Sequence, residues 1–224
     1  MYFKISLKMI LNILIVILII AILSIAYVKF YKKERKLTIL HIGKTAGRAI
    51  NDSIKNEPNI KLARHIIQGR DLKMCDCDIA AVIRDPVDRL ISAIYWFKQK
   101  GENGEMVNHP CHEFVKNKSI KEILSNPRLF DQKCIVRKNA AFLPTSVFIK
   151  DIEDKVIPIC FNKLQQDYDE KIKPYKKNNL NLKVRNKSSR PSLDKLSKED
   201  LDALNRYVDF KYKSDKKFYE EKCL

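Results

Sequence analysis

The segment DIAAVIR, residues 78 to 84, is a continuous apolar run ending on an arginine, and no other stretch constrains the fold as much. Strands with one wet face alternate apolar and polar residues, whereas an unbroken run of this kind suits a strand covered on both faces. It passes directly into DPVDRLISAIYWFKQK. There Asp85 suits a helix N-cap, Pro86 the first helical position, and Val87, Leu90, Ile91, Ile94 and Phe97 make one apolar stripe. The same order occurs earlier in the chain. LTILHI, residues 37 to 42, is short and β-rich, and it stops at Gly43. TAGRAINDSIKNE follows, with Ala46, Ala49, Ile50 and Ile54 at helical spacing. A third β-rich segment, SVFIK at 146 to 150, precedes a stretch from 151 to 175 read as mostly helical. Strands interleaved with helices predict a parallel sheet with helices on both faces. Residues 176 to 192 are polar, basic and without periodicity, so they read as a loop. A helix is expected from near Ser197, with Asp200 three residues on, and a short last helix within SDKKFYEEKCL.

Residues 37 to 224 carry no internal repeat and no long low-complexity stretch, and read as one domain. Ahead of them Met9 to Val28 runs twenty residues without a charge. At about 1.5 Å rise per residue this covers roughly 30 Å of hydrocarbon, the expectation for a transmembrane helix. A cleaved signal peptide is the alternative, but its apolar core is usually shorter and ends at a small-residue cleavage site. Residues 1 to 8 then form a short tail, 9 to 28 an anchor and 29 to 36 a basic stem. Lys29, Lys32, Lys33, Arg35 and Lys36 outnumber Lys4 and Lys8, which by the positive-inside bias places the domain in the cytoplasm. Six cysteines and the N-x-S sequons at Asn51, Asn117 and Asn186 point to the other side.

A formal net charge of +17 calls for polyanionic partners: a phosphate-bearing cofactor, an acidic glycan, nucleic acid or anionic lipid. Zinc-finger spacing, RNP-type aromatics and a basic heptad region are all missing from the sequence, so no nucleic-acid partner is expected. A strand running through a glycine-bearing loop into a helix is suited to anions, because the first helical amides lack internal partners. In HIGKTAGR, Lys44 adds a charge, Thr45 a hydroxyl, Gly47 a close backbone approach and Arg48 a bidentate fork. A Walker A loop would need G-x-x-x-x-G-K-[ST], and its first glycine falls on Thr38 inside the strand. An ATP- or GTP-cleaving loop is therefore disfavoured.

HIGKTAG resembles the H-I-P-K-T-G-G-T loop of the carbohydrate sulfotransferases, and RDPVDRLISAIY resembles that family's second signature, R-D-P-x-x-R-x-x-S-x-Y. Each stands at the end of a strand, in the family's order. The chain departs from the pattern at Gly43, where proline is usual, and at Arg48, where threonine or serine is usual. The resemblance implies binding of 3′-phosphoadenosine 5′-phosphosulfate (PAPS). Lys44 would lie by the bridging oxygen, Thr45, Ala46, Gly47 and Arg48 around the 5′-phosphate, and Arg84 and Ser92 at the 3′-phosphate. On the other reading Arg84 makes a surface ion pair with Asp85 or Asp88, and Ser92 fills a helix flank. Arg89 serves either the same phosphate or a salt bridge. KVRNKSSRP resembles the family's later polar loop, which makes Asn186, Ser188 and Arg190 candidates against the nucleotide.

Sulfuryl transfer needs a base for the acceptor hydroxyl, and histidine titrates near neutrality. His65, in KLARHIIQG between the two loops, is the candidate. His41 matches a family residue of structural character, and His109 and His112 lie in a separate loop. Cys75, Cys77, Cys111 and His112 could be read as zinc ligands, but C-x-C is poor structural-zinc spacing, so disulfides or free thiols are favoured and no metal is expected. The expected fold class is α/β, a P-loop-like three-layer sandwich around a central parallel sheet, preceded by one N-terminal transmembrane helix. The expected activity is transfer of sulfate from PAPS to a glycan hydroxyl, with a Golgi-lumenal domain on a single-pass membrane anchor. The alternatives are a nucleotide-dependent kinase or NTPase on a similar sheet, and a non-catalytic protein that binds polyanions by charge.

Overall fold

The computed structural model describes residues 7–31, 35–63, 67–106, 108–135, 139–178, 182 and 190–224. The chain divides into two units, Met1–Arg35 and Lys36–Leu224. The first holds helix α1 (Leu7–Tyr31). Among the described residues no helix is long and apolar enough to cross a membrane, so the transmembrane anchor expected over residues 9 to 28 is not supported, nor is that part of the expected fold class.

In the second unit four strands pair into one parallel sheet. They are β1 (Leu37–Leu40), β2 (Ile60–Ala63), β3 (Asp78–Ile83) and β4 (Val156–Cys160), in the spatial order β2-β1-β3-β4. Leu37 stands opposite both Ile60 and Asp78, and Ile79 opposite Val156. Successive side chains of a strand point to opposite faces, so the apolar run of β3 serves two cores at once. Ala80 and Val82 pack with Leu37, Ile39 and the apolar side of α2 (Gly47–Ile54), joined by Tyr168, Ile172 and Tyr175. Ile79, Ala81 and Ile83 pack on the other face with Leu40, Phe148, Ile149, Tyr219 and Cys223. This is why the sequence of β3 does not alternate.

Short α3 (Gly69–Leu72) leads into β3, and α4 (Pro86–Glu102) leaves it. Asp85 caps α4 by accepting from the Asp88 amide at 2.8 Å, with Pro86 in the first turn, as the sequence suggested. Leu90, Ile91, Ile94 and Phe97 enter a third core shared with α5 (Pro110–Val115), α6 (Ile120–Leu124), α7 (Pro127–Phe130) and α10 (Lys198–Lys211). Ser197 caps α10 by accepting from the Asp200 amide, and α11 (Lys213–Cys223) ends the chain.

Two strand assignments need correction. SVFIK, expected to be a strand, lies in α8 (Thr145–Ile149); Thr145, Phe148 and Ile149 are its buried residues, and their 3- and 4-residue spacing is that of one helical face. The strand β4 instead lies within the region read as helical, ahead of α9 (Leu164–Asp167). Pro158 is admissible there because β4 is at the sheet edge. IKLA, which becomes β2, is only four residues long, too short for its pattern to stand out in sequence, and it too is an edge strand.

Candidate functional site

The connection from β1 goes to β2 on one side of the sheet, while β4 lies on the other side of β3. The crevice at the carboxyl ends of β1 and β3 is therefore the point at which strand order reverses, where open α/β sheets bind ligands. Both loops singled out from sequence open into it.

The β1–α2 loop has an unusual backbone. Lys44 and Ala46 adopt left-handed conformations, with φ of 66° and 62°, although neither is glycine. Such residues cost about 1 kcal/mol or more each, and they persist where the surroundings enforce them. Thr45 is buried, and its hydroxyl donates to the Ile42 carbonyl at 2.8 Å, so that group braces the loop internally. Gly43 lies under the backbone of Ala140 and Ala141, and a Cβ there would stand 2.5 Å from the Ala140 carbonyl oxygen. That close approach accounts for glycine at the position. A Cβ on Gly47 would meet the His41 ring at 1.9 Å, so His41 packs against the start of α2.

Arg84 joins the two loops. Its Nη1 donates to the Lys44 carbonyl at 2.7 Å, its Nε donates to Asp88 Oδ2 at 2.6 Å, and its guanidinium lies 4.2 Å from the centroid of Phe161, just past β4. The carboxyl ends of β1, β3 and β4 thus converge on one side chain. Asp88 is shared: Arg190 pairs with its other oxygen and also donates to the Pro191 carbonyl at 3.4 Å. Burial holds the Arg84 guanidinium below its ordinary pKa, opposed by Asp88.

Lys44 places its Nζ over the Trp96 ring, 5.2 Å from the centroid. Burial first, then Arg84, Arg48, Arg190 and Lys100, lower its pKa to about 8. The structure thus gathers four further cations around Lys44, a set suited to a ligand carrying several negative charges. Ser92 is buried one turn past Asp88 on α4, between Asp88 and Trp96 at 4-residue spacing. Arg48 is exposed on the first turn of α2.

Lys44, Thr45, Ala46, Gly47, Arg48, Arg84, Ser92 and Arg190 therefore lie on the elements that meet at this crevice. His65, Asn186 and Ser188 lie outside the described residues. Arg89 belongs elsewhere: it is buried, donates to the Leu143 carbonyl at 2.8 Å and pairs with Asp215 at 3.3 Å, tying α4 to α11. His112 is buried against Gly101 with its Nδ1 at 3.0 Å from the Phe97 carbonyl, and His109 caps α5. The zinc alternative loses its ligands to disulfides, Cys75 with Cys77 and Cys111 with Cys134; Cys160 pairs with Cys223. Sequence reasoning named Asp88 only as an alternative ion-pair partner of Arg84, a pairing the structure shows, and it missed Trp96 and Lys100, although counting in fours from Ser92 reaches both. Phe161 carried no signal, because only strand pairing brings it here. Comparisons with family models, with curated proteins and with solved structures gave no match for this chain, so the site's own geometry carries its functional interpretation.

Proposed function

We propose that residues 37 to 224 transfer a sulfuryl group from PAPS to a hydroxyl group, with a glycan as acceptor. The observation that carries this reading is the hydrogen bond from Arg84 to the Lys44 carbonyl. It joins two anion-suited loops at one switch point, so that a molecule with phosphates at both ends can engage both. The donor set fits such a ligand. Lys44, Arg48, Arg84 and Arg190 bring positive charge, and Asp88 holds two of these guanidinium groups in place.

PAPS supplies an activated sulfuryl group whose bond to phosphate breaks as the bond to the acceptor oxygen forms. The chain's residues have simpler tasks. Lys44 offers positive charge where the leaving oxygen develops negative charge, and its half-buried setting strengthens that interaction. Arg84 holds the loop of Lys44 through its carbonyl while presenting charge of its own. Thr45 locks the loop from within, leaving backbone amides rather than its hydroxyl as the natural donors. The acceptor's proton goes to a base, for which His65 remains the candidate. Three disulfides, Cys75–Cys77, Cys111–Cys134 and Cys160–Cys223, support an oxidising compartment such as the Golgi lumen.

The test is sulfate transfer from labelled PAPS to a glycan panel by the full chain, beside Lys44→Ala, Arg84→Ala and His65→Ala. Transfer by the wild type and its loss in the first two variants is the expected result. Binding of ATP with turnover, and indifference to the desulfated nucleotide PAP, would move the protein to the kinase or NTPase class. Polyanion binding that survives Lys44→Ala and falls steeply with salt, with no transfer, would make it a binding protein.

A further inference from the structure

Asp88, Ser92, Trp96 and Lys100 follow one another at 4-residue spacing along α4, each the neighbour of the next in a row that winds slowly around the helix. At one end Asp88 is gripped by Arg84 and Arg190. In the middle the Lys44 ammonium stands over the Trp96 ring. One turn further, Lys100 has a side chain 20% exposed and paired with Glu105, itself 56% exposed. Trp96 is half-buried and braced edge-on by Phe97, with ring centroids 4.8 Å apart. The order along the helix is thus guanidinium groups, transfer lysine, aromatic plate and a further cation.

In-line displacement needs the entering oxygen opposite the leaving phosphate. With the nucleotide held by Arg84 and Arg190 beside Asp88, the far side of Lys44 along α4 runs from the Trp96 ring beneath it to Lys100. We infer that Trp96 and Lys100 form the acceptor subsite, and that it takes a sugar ring bearing a carboxylate or sulfate group. This rests on the sulfuryl-transfer reading for the position of the leaving group. The C–H face of the sugar lies on the indole, and its anionic substituent takes the place of Glu105 at Lys100. Glu105 is mostly exposed and the pair is in contact with solvent, so the exchange costs little. A neutral sugar leaves Lys100 with Glu105 and gains the stacking alone.

Trp96 is the only tryptophan of the chain, so its emission reports on this subsite directly. The full chain is titrated with a hexuronate-containing tetrasaccharide and with a neutral tetrasaccharide. A saturable change with the acidic sugar and none with the neutral one is expected. Lys100→Gln should weaken the acidic sugar about tenfold, the loss of one charge-assisted hydrogen bond. Glu105→Gln, which frees Lys100, should tighten it. Emission unmoved by the acidic sugar in the wild type, or equal affinity in Lys100→Gln, overturns the subsite. Calorimetric binding of PAP to the wild type separates the two claims. A protein that binds the acidic sugar but not PAP keeps the subsite and loses the sulfotransferase; one that binds PAP and ignores the sugar does the reverse.

Discussion

Lys44 carries its charge into a place where Arg84, Arg48, Arg190 and Lys100 already disfavour it, and burial disfavours it further. Its proton is held more weakly in the fold, with a pKa near 8, than in the unfolded chain, where the ordinary value is 10.5. The resulting cost to stability is fully present below pH 8 and fades as pH rises from there toward 10.5. Lys44→Met should therefore raise the melting temperature at pH 7, and the gain should shrink between pH 8 and 10.5; thermal melts across that range check it. Anion binding runs in the opposite sense, because a bound phosphate needs the proton. The affinity for PAP should fall as pH rises through 8 in the wild type and be weak and nearly flat in Lys44→Met, by calorimetry. Glycine at 43 and 47 has a different purpose. Gly43→Ala would drive a Cβ into the backbone at Ala140, whereas at Gly47 the nearest atoms a Cβ would meet belong to the His41 side chain. The first should destabilise the protein by about 2 to 3 kcal/mol and the second by less, measured by urea unfolding.

At the scale of elements, the three disulfides differ in what they hold. Cys160–Cys223 joins β4 to the end of α11 across 63 residues, with both cysteines buried. Closing a loop of that length contributes about 4 kcal/mol by chain entropy, so the Cys160→Ala, Cys223→Ala double variant should unfold at markedly lower urea. Cys75–Cys77 spans two residues just before β3, and Cys75 is exposed. It should be the first bond opened by a mild thiol, with Cys111–Cys134 and Cys160–Cys223 intact, as differential alkylation would show. Elements also mark where sequence pattern misleads. SVFIK and VIPIC are both short apolar runs, and nothing local separates a helical turn from a strand at that length. The choice was made by neighbours: Phe148 and Ile149 cover the sheet, while Val156 to Cys160 pair with β3 along five residues.

The whole molecule combines a net charge of +17 with a switch-point crevice. Diffuse charge and a built site respond differently to salt. Raising salt from about 50 to about 200 mM should weaken a long polyanion by orders of magnitude but PAP only several-fold. By itself the sequence determined the parallel α/β character, through an unbroken apolar β3, and both strand-to-helix junctions, through the Asp85–Pro86 cap and the stop at Gly43. These are local properties, set by backbone conformation and by the period of apolar residues. It also pointed to Lys44, through its place in the glycine-bearing loop, and to Arg84, through the resemblance of RDPVDRLISAIY to a family signature. Only the tertiary structure decided that Arg84 reaches the Lys44 carbonyl, that Arg190 returns to share Asp88 from 102 positions away, that Arg89 is committed to Asp215, and that Trp96 lies beneath the Lys44 ammonium. Long-range pairings of this kind depend on strand order and helix packing, which link residues far apart in the chain and leave no periodic trace in it.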